Sequence, residues 1–253
     1  MIFDRRRYHQ DNYVYLLVEG TDAALVDPGD PAAARSLAGA HGVRPRWIFH
    51  THGHADHSGG SAELRAALGA QVLGHGADAR WFPPDVDLQG RTEVVLGSLR
   101  LRVHEAPGHT PGSVLLEWRG RLLTGDTLFS LGCGSCRHGG DPARLAESFL
   151  GTIAPLDGAL EVHPGHDYAA RNLPFALLLE PENPAAVRRR AGVDAARAAG
   201  AEAPSTTLAE ERAMNPFLRI EAPGVAAAIA REAPAARTAA ERFVALRRLR
   251  DRQ

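Results

Sequence analysis

The feature that most constrains this chain is Thr51-His52-Gly53-His54-Ala55-Asp56-His57, which crowds three imidazoles and a carboxylate into a short segment. Such a density of ligand side chains suits zinc, iron or manganese, and ligand type alone does not separate these metals. In an extended stretch alternate side chains share a side, so His52 and His54 are placed to reach one ion together. Asp56 and His57 extend the cluster towards a second ion. A group this dense needs partners from elsewhere, and three turns offer them: Pro107-Gly108-His109-Thr110-Pro111-Gly112, Thr124-Gly125-Asp126-Thr127 and Pro164-Gly165-His166-Asp167-Tyr168. In each, glycine allows close backbone approach beside a candidate ligand, at strand ends where α/β enzymes gather their sites. The other histidines, His9, His41, His50, His75, His104, His138 and His163, read as ordinary surface or core residues.

The surrounding elements follow an α/β pattern. Residues 13–18 and 23–26 read as strands joined by a hairpin turn at Glu19-Gly20-Thr21-Asp22, and 47–49 as a short buried strand leading into the histidine segment. Asp30-Pro31 and Asp141-Pro142 each open a helix: the aspartate accepts from free backbone amides, and proline loses nothing at the first helical position. The first of these helices is expected to end near Gly42. Another helix is expected over 58–68, stopped at Gly69. Strands are expected over 92–96, 99–104, 113–118, 121–124 and 160–162, the last of these being the final strand. From residue 169 onward the composition is helical, over 172–180, 184–199 and 235–250, and Thr207-Leu208-Ala209-Glu210 reads as a capping box. The expected organisation is an α/β domain over 1–168, followed by a helical domain over 169–253.

With 253 residues and a hydrophobic fraction of 44%, the chain can bury one ordinary core. No stretch approaches the roughly 20 apolar residues of a membrane span. Residues 1–10 are charged and polar with no apolar region behind them, so no secretory signal is expected. A formal net charge of −1 gives no electrostatic case for nucleic acid or an anionic membrane as partner. The expectation is a cytoplasmic enzyme acting on a small molecule, with its oligomeric state open. Cys133 and Cys136 have no second cysteine pair with which to complete a structural zinc site, and read as small packing residues in a glycine-rich loop. The chain has no lysine: all 29 basic residues are arginine, so a site that usually holds lysine must hold something else.

His-x-His-x-Asp-His followed by His109, Asp126 and His166 resembles the metallo-β-lactamase superfamily over residues 11–168. The resemblance implies a four-layer αββα sandwich and two divalent metal ions, zinc first, with iron or manganese as alternatives. It assigns His52, His54 and His109 to one ion, Asp56, His57 and His166 to the other, and Asp126 to both. Asp56 and Asp126 are accordingly the candidate catalytic carboxylates. Asp27, in Val26-Asp27-Pro28-Gly29-Asp30, also matches the superfamily, in a supporting role. Gly125-Asp126-Thr127-Leu128-Phe129, Gly132-Cys133-Gly134, Asn172-Leu173-x-Phe175-Ala176, Glu180-Pro181-Glu182-Asn183 and Asn215-Pro216-Phe217-Leu218-Arg219 resemble the hydroxyacylglutathione hydrolases (glyoxalase II). With the helical C-terminal part, this resemblance covers nearly the whole chain. It implies hydrolysis of S-D-lactoylglutathione or a related thioester to glutathione and a hydroxy acid. Two cations would supply hydroxide near neutral pH, and a thiolate leaving group needs no separate general acid. In that family the carboxylates of glutathione are met by residues matching Ser135, Arg137, Tyr168, Arg247 and Arg250. Tyr168 and Arg247 match; Arg250 replaces a lysine. Ser135 stands where lysine is usual and Arg137 where an aromatic is common, so recognition of the thiol carrier is where this chain departs.

Persulfide dioxygenases share the fold. His166-Asp167-Tyr168 and Thr207-x-x-Glu210-Glu211-Arg212-x-x-Asn215-Pro216 resemble their C-terminal part. That alternative implies one iron, held by residues matching His52, His109 and Asp126, and glutathione persulfide as substrate. Residues 169–206 resemble the hydrolase and not the dioxygenase, which favours the hydrolase. A nuclease would need a basic surface or an added binding element, and a non-catalytic binding protein would be expected to have lost some ligands; both are set aside.

Overall fold

Alternation along single strands builds two sheets that meet face to face. In the computed structural model, which describes residues 1–253, the first sheet runs β1 (Ile2–Tyr8), β2 (Asn12–Glu19), β3 (Asp22–Val26), β4 (Trp47–Phe49), β5 (Gln71–Gly74) and β6 (Val86–Asp87) in that spatial order. The second contains β7 (Glu93–Leu96), β8 (Leu99–Glu105), β9 (Val114–Trp118) and β10 (Arg121–Gly125). A hairpin of β11 (Leu128–Phe129) and β12 (Gly132–Cys133) stands apart, after which β13 (Glu161–Pro164) joins the second sheet parallel to β10. On β2, Tyr13, Tyr15 and Leu17 face the second sheet, where Leu101, Val103, Leu116 and Leu123 meet them. Val14, Leu16 and Val18 face outward against α1 (Pro31–Ala40) and α3 (Ser61–Leu68), where Leu37 and Leu64 are buried. This period of two fixes the register, because a one-residue slip would exchange the two faces. Each large aliphatic side chain buried this way stabilises the fold by roughly 1.5–3 kcal/mol.

The outer face of the second sheet carries the fourth layer. Leu115, Leu122 and Val162 pack under α4 (Pro142–Glu147) and its continuation through Phe149 and Ile153, and share one core with Phe217, Phe243 and Leu246 from the C-terminal part. That part comprises α5 (Ala169–Leu179), α6 (Pro184–Ala198), α7 (Leu208–Met214), α8 (Pro223–Glu232) and α9 (Ala239–Asp251). The αββα sandwich and the C-terminal helices agree with the sequence reading. Asp30 caps α1 as expected, accepting from the amides of Ala32 and Ala33 at 2.7 and 2.9 Å. Asp141 caps α4, and Thr207 and Glu210 form the expected capping box.

Two expectations are corrected. Residues 160–162 are not the final strand, because β14 (Thr206–Thr207) pairs antiparallel with β13, lending two residues after 169 to the sheet edge. The helix expected over 58–68 begins three residues later, as α3, and Ser58 instead ends a separate one-turn helix, α2 (Ala55–Ser58). The charged opening segment, to which the sequence pattern assigns no element, is strand β1, paired with β2 from Ile2↔Val18 to Tyr8↔Asn12. No helix is long and apolar enough to cross a membrane.

Candidate metal centre

Parallel pairing brings the ligand turns to one end of the sandwich. β3 and β4 are parallel, so Asp27 and His52 leave the same edge; β10 and β13 are parallel, so Asp126 and His166 do likewise. Asp27 is buried and holds a left-handed φ of 52°, a conformation uncommon for a residue with a side chain. Its carboxylate accepts from the Thr51 amide at 2.8 Å and the Thr51 hydroxyl at 2.5 Å, pinning the start of the histidine segment. The one-turn helix α2 then turns Asp56 and His57 inward, so these two ligands sit on a helical turn rather than on the loop the sequence suggested.

The seven expected ligands converge as two groups. His52, His54 and His109 place their ligand nitrogens within 4.8 Å of one another, and Asp56, His57 and His166 form a second group by the same measure. Asp126 stands between them: Oδ2 lies 3.6 Å from His109 Nε2 and 3.4 Å from His166 Nε2, and Oδ1 lies 3.4 Å from His57 Nε2. A third grouping, Asp27 with His52 and His57, lies beneath the site, where Asp27 faces the far nitrogen of His57 at 3.4 Å.

The chemistry of this donor set fits divalent cations. Four of the five imidazoles have one nitrogen engaged by the protein and the other aimed inward, while His57 Nδ1 faces Asp27 at 3.4 Å without a hydrogen bond. His109 Nδ1–H donates to the Ser135 carbonyl at 2.7 Å, His166 Nδ1–H to Asp11 Oδ1 at 2.7 Å, and His54 Nε2–H to the His138 carbonyl at 3.1 Å. His52 Nδ1 lies 3.1 Å from the Thr51 hydroxyl, whose own proton is committed to Asp27. The remaining nitrogens therefore present lone pairs, and they face each other at close range: 2.9 Å for His109 Nε2 to His54 Nδ1, and 3.0 Å for His57 Nε2 to His166 Nε2. His52 Nε2 and Asp126 Oδ1 are buried with no hydrogen-bond partner. Buried lone pairs pointed at one another are costly without a cation between them.

The field agrees. Burial works against ionised Asp126, but the imidazoles of His166 and His57 outweigh it and hold the carboxyl well below its usual range. Burial likewise opposes a charged His166, yet Asp126 and Asp56 prevail and push it up to about 12, so this position favours positive charge. His109 goes the other way: burial dominates and lowers it to about 4, leaving a neutral ring ready to ligate. Two glycines make room. A Cβ on Gly134 would collide with the Asp126 carbonyl and the His109 ring, and one on Gly165 with Asp126 and His57.

Above the ligands opens a cavity of about 920 Å³. All five expected substrate residues, Ser135, Arg137, Tyr168, Arg247 and Arg250, line it. Tyr168 stacks on His166 with ring centroids 4.7 Å apart. Arg247 is buried and turns both terminal nitrogens to the protein, Nη1 to the Cys133 carbonyl at 2.9 Å and Nη2 to Asp251 at 2.9 Å. Arg250 makes no ion pair, touching only the Arg171 carbonyl at 3.3 Å and Asn172 Oδ1 at 3.4 Å; burial and the charges of Arg247 and Arg171 lower its pKa. The cysteines are free, and burial raises the Cys133 thiol to about 11 and Cys136 to about 12, as suits packing residues. Sequence reasoning missed Arg171 and Asn172 on the cavity wall, Asp11 and Asn12 behind the second ligand group, and the His138 carbonyl. Arg171 was accessible as the cation three residues after Tyr168, just before the helix expected over 172–180; a backbone carbonyl leaves no trace in residue identity.

Comparison with known proteins gives the same picture. Residues 9–178 match the Metallo-beta-lactamase superfamily, and residues 167–253 match the Hydroxyacylglutathione hydrolase C-terminus. The chain is 74% identical over 254 residues, 100% of both chains, to a hydroxyacylglutathione hydrolase of Anaeromyxobacter dehalogenans. Among solved structures it resembles ETHE1 from Myxococcus xanthus, with a TM-score of 0.71 and 25% identity over 98% of this chain and 91% of the other. It also resembles TTHA1623 in a di-iron-bound form, with a TM-score of 0.62 and 27% identity over 86% and 100%.

Proposed function

The chain belongs to the hydroxyacylglutathione hydrolases of the metallo-β-lactamase superfamily, and from that premise we propose that it cleaves an acyl-glutathione thioester with two divalent ions held by seven side chains. The observation that carries the reading is Asp126 standing between two oriented ligand groups beneath an arginine-lined cavity. His52, His54 and His109 would hold one ion, Asp56, His57 and His166 the other, and Asp126 both. The family resemblance points to zinc first, with iron or manganese as alternatives that the ligand types equally suit; the di-iron form of the TTHA1623 neighbour supports a two-ion occupancy. When bound, such ions lower the pKa of a water and polarise a carbonyl oxygen.

The chain's own residues do the rest. The imidazoles of His54, His109 and His166 are fixed in tautomer by their outer partners, so these three need no reorientation on binding. Arg250 and Arg171, free of carboxylate partners, are placed to meet the carboxylates of the glutathionyl moiety, with Tyr168 forming the wall between them and His166. Arg137 adds charge at the rim beside Ser135, in place of the lysine that the family usually carries there. The leaving thiol has a pKa of about 8.5, so it departs as thiolate without a proton donor from the protein. The division at residue 168 belongs to the same proposal: the metal ligands lie before it, and Arg171, Arg247 and Arg250 after it.

The test is S-D-lactoylglutathione hydrolysis by metal-free protein reconstituted separately with zinc, manganese and iron. Turnover that is lost on chelation supports the reading; no turnover with any of the three sinks it. The alternative, oxygenation of glutathione persulfide at a single iron, is less supported, because residues 167–253 match the hydrolase C-terminus. Oxygen uptake on the iron form would reveal it.

A further inference from the structure

The two ligand groups are oriented by different parts of the chain. In the first, His109 and His54 are oriented from the loop after β12, by the Ser135 and His138 carbonyls respectively. In the second, His166 and Asp56 are oriented from the tip of the β1–β2 hairpin. Asp11 Oδ1 accepts from His166 Nδ1 at 2.7 Å, and Asn12 Nδ2 donates to Asp56 Oδ2 at 3.0 Å while standing 3.4 Å from His166 Nε2. The same tip is tied to the backbone on both sides of that group. The Tyr8 hydroxyl donates to the Asp56 carbonyl at 2.5 Å, the Tyr13 amide to the Gly165 carbonyl at 2.8 Å, and the Asp167 amide to the Asp11 carbonyl at 2.9 Å. Asn12 is 5% exposed, so its amide orientation is set by packing as well as by these bonds.

We propose that the β1–β2 hairpin tip, through Asp11 and Asn12, sets the affinity for the second ion and leaves the first untouched. The inference rests on the two-ion reading above. Asp11 fixes the tautomer of His166 so that Nε2 carries the lone pair, and a carboxylate behind an imidazole raises its basicity as a ligand. Asn12 holds Asp56 Oδ2, the oxygen that faces His166 Nε2 at 3.3 Å and His57 Nε2 at 3.5 Å, and so limits the rotation of this carboxylate. Neither residue touches a ligand of the first group, so the two affinities are separable. Asp11 and Asn12 are positioning residues in this scheme.

The experiment measures binding. Zinc stoichiometry after dialysis of the full chain against a weak chelator is determined by elemental analysis, and stepwise affinities by titration calorimetry, for wild type, Asp11→Asn, Asp11→Ala and Asn12→Ala. Thermal melting of the metal-free forms confirms that each is folded; Asp11→Asn, nearly isosteric, covers the case in which an alanine variant is not. The expected result is two ions in wild type, the second weakened about 10- to 100-fold in the alanine variants and less in Asp11→Asn, with the first changed by less than about threefold. Variants that keep both ions at wild-type affinity, or lose both in step, overturn the inference. A single ion in wild type overturns the two-ion premise and this inference with it. Two ions in wild type without thioester turnover count against the proposed reaction alone.

Discussion

Arg247 on α9 donates from Nη1 to the carbonyl oxygen of Cys133 at 2.9 Å, and so ties the C-terminal helix to the turn whose next residues orient His109. The contact changes what this arginine is expected to do. The sequence reading placed Arg247 among the carboxylate-binding residues; its burial and its bond to Asp251 give it a bracing part as well. Arg247→Ala is expected to cost about 2–3 kcal/mol of stability, by stranding a buried carbonyl and Asp251, and to lower kcat together with kcat/KM. Arg250→Ala should leave stability within about 0.5 kcal/mol and raise KM for a glutathione thioester about tenfold at unchanged kcat. Melting curves and steady-state kinetics on the two variants separate the roles; identical profiles would refute the distinction.

Gly134→Ala puts a methyl where the Asp126 carbonyl and the His109 ring already stand. The turn must move, and His109 Nδ1 loses the Ser135 carbonyl with it. A displacement of about 1 Å near the reacting atoms is expected to lower kcat about 100-fold. Turnover by fully metal-loaded Gly134→Ala within a few-fold of wild type would show that the turn has slack.

Glu211 is fully buried without a cation, its oxygens accepting from the Leu131 amide at 2.8 Å, Asn215 Nδ2 at 3.1 Å and the Thr206 hydroxyl at 2.7 Å. Burial outweighs these bonds and raises its pKa. The folded state therefore holds the proton more tightly than the unfolded chain does. Stability from this group is full below the unfolded value of about 4.3 and is lost as pH rises through the raised one. Glu211→Gln, whose amide matches the same partners if the threonine hydroxyl accepts, should be as stable as wild type at pH 4 and more stable at pH 7. Glu211→Ala should lose about 3 kcal/mol. Denaturant melts at both pH values decide it, and a stability gap between wild type and the glutamine variant that does not widen with pH would be the contrary result.

The thiols of Cys133 and Cys136, raised to about 11 and about 12 by burial, stay protonated at pH 8. Iodoacetamide should label less than about a tenth of either in native protein over the time that fully labels the unfolded chain. Rapid native labelling, or a disulfide between them, would instead assign the pair a redox role.

The candidate ligands were legible because metal chemistry demands particular side chains at tight spacing, and His52, His54, Asp56 and His57 satisfy it locally. The helix starts were legible for a similar reason: Asp30 acts on amides two and three positions away and Asp141 on the amide two positions away. What escaped was carried by the backbone or by tertiary pairing. The Ser135 and His138 carbonyls orient ligands irrespective of residue type. Strand β1 goes unassigned because Arg5, Arg6 and Arg7 interrupt its apolar pattern. It is an edge strand, where charge is tolerated, and Arg5 lies over the Tyr13 ring at 4.6 Å and pairs with Glu202 at 2.9 Å. Strand β14 is two residues long, too short for any periodicity, and α8 starts at Ala222-Pro223 without a side-chain cap.

The shared core of Leu145, Phe149, Phe243 and Leu246 has a consequence for biosynthesis. All the ligand-bearing turns are made well before α9, yet the apolar face of α4 that flanks the His109 turn stays uncovered until Phe243 and Leu246 arrive. Until α9 packs, the chain presents an open apolar surface beside its ligand-bearing turns, the condition in which incompletely folded proteins aggregate or need a chaperone. Closing that surface falls to a helix that contributes no candidate ligand at all.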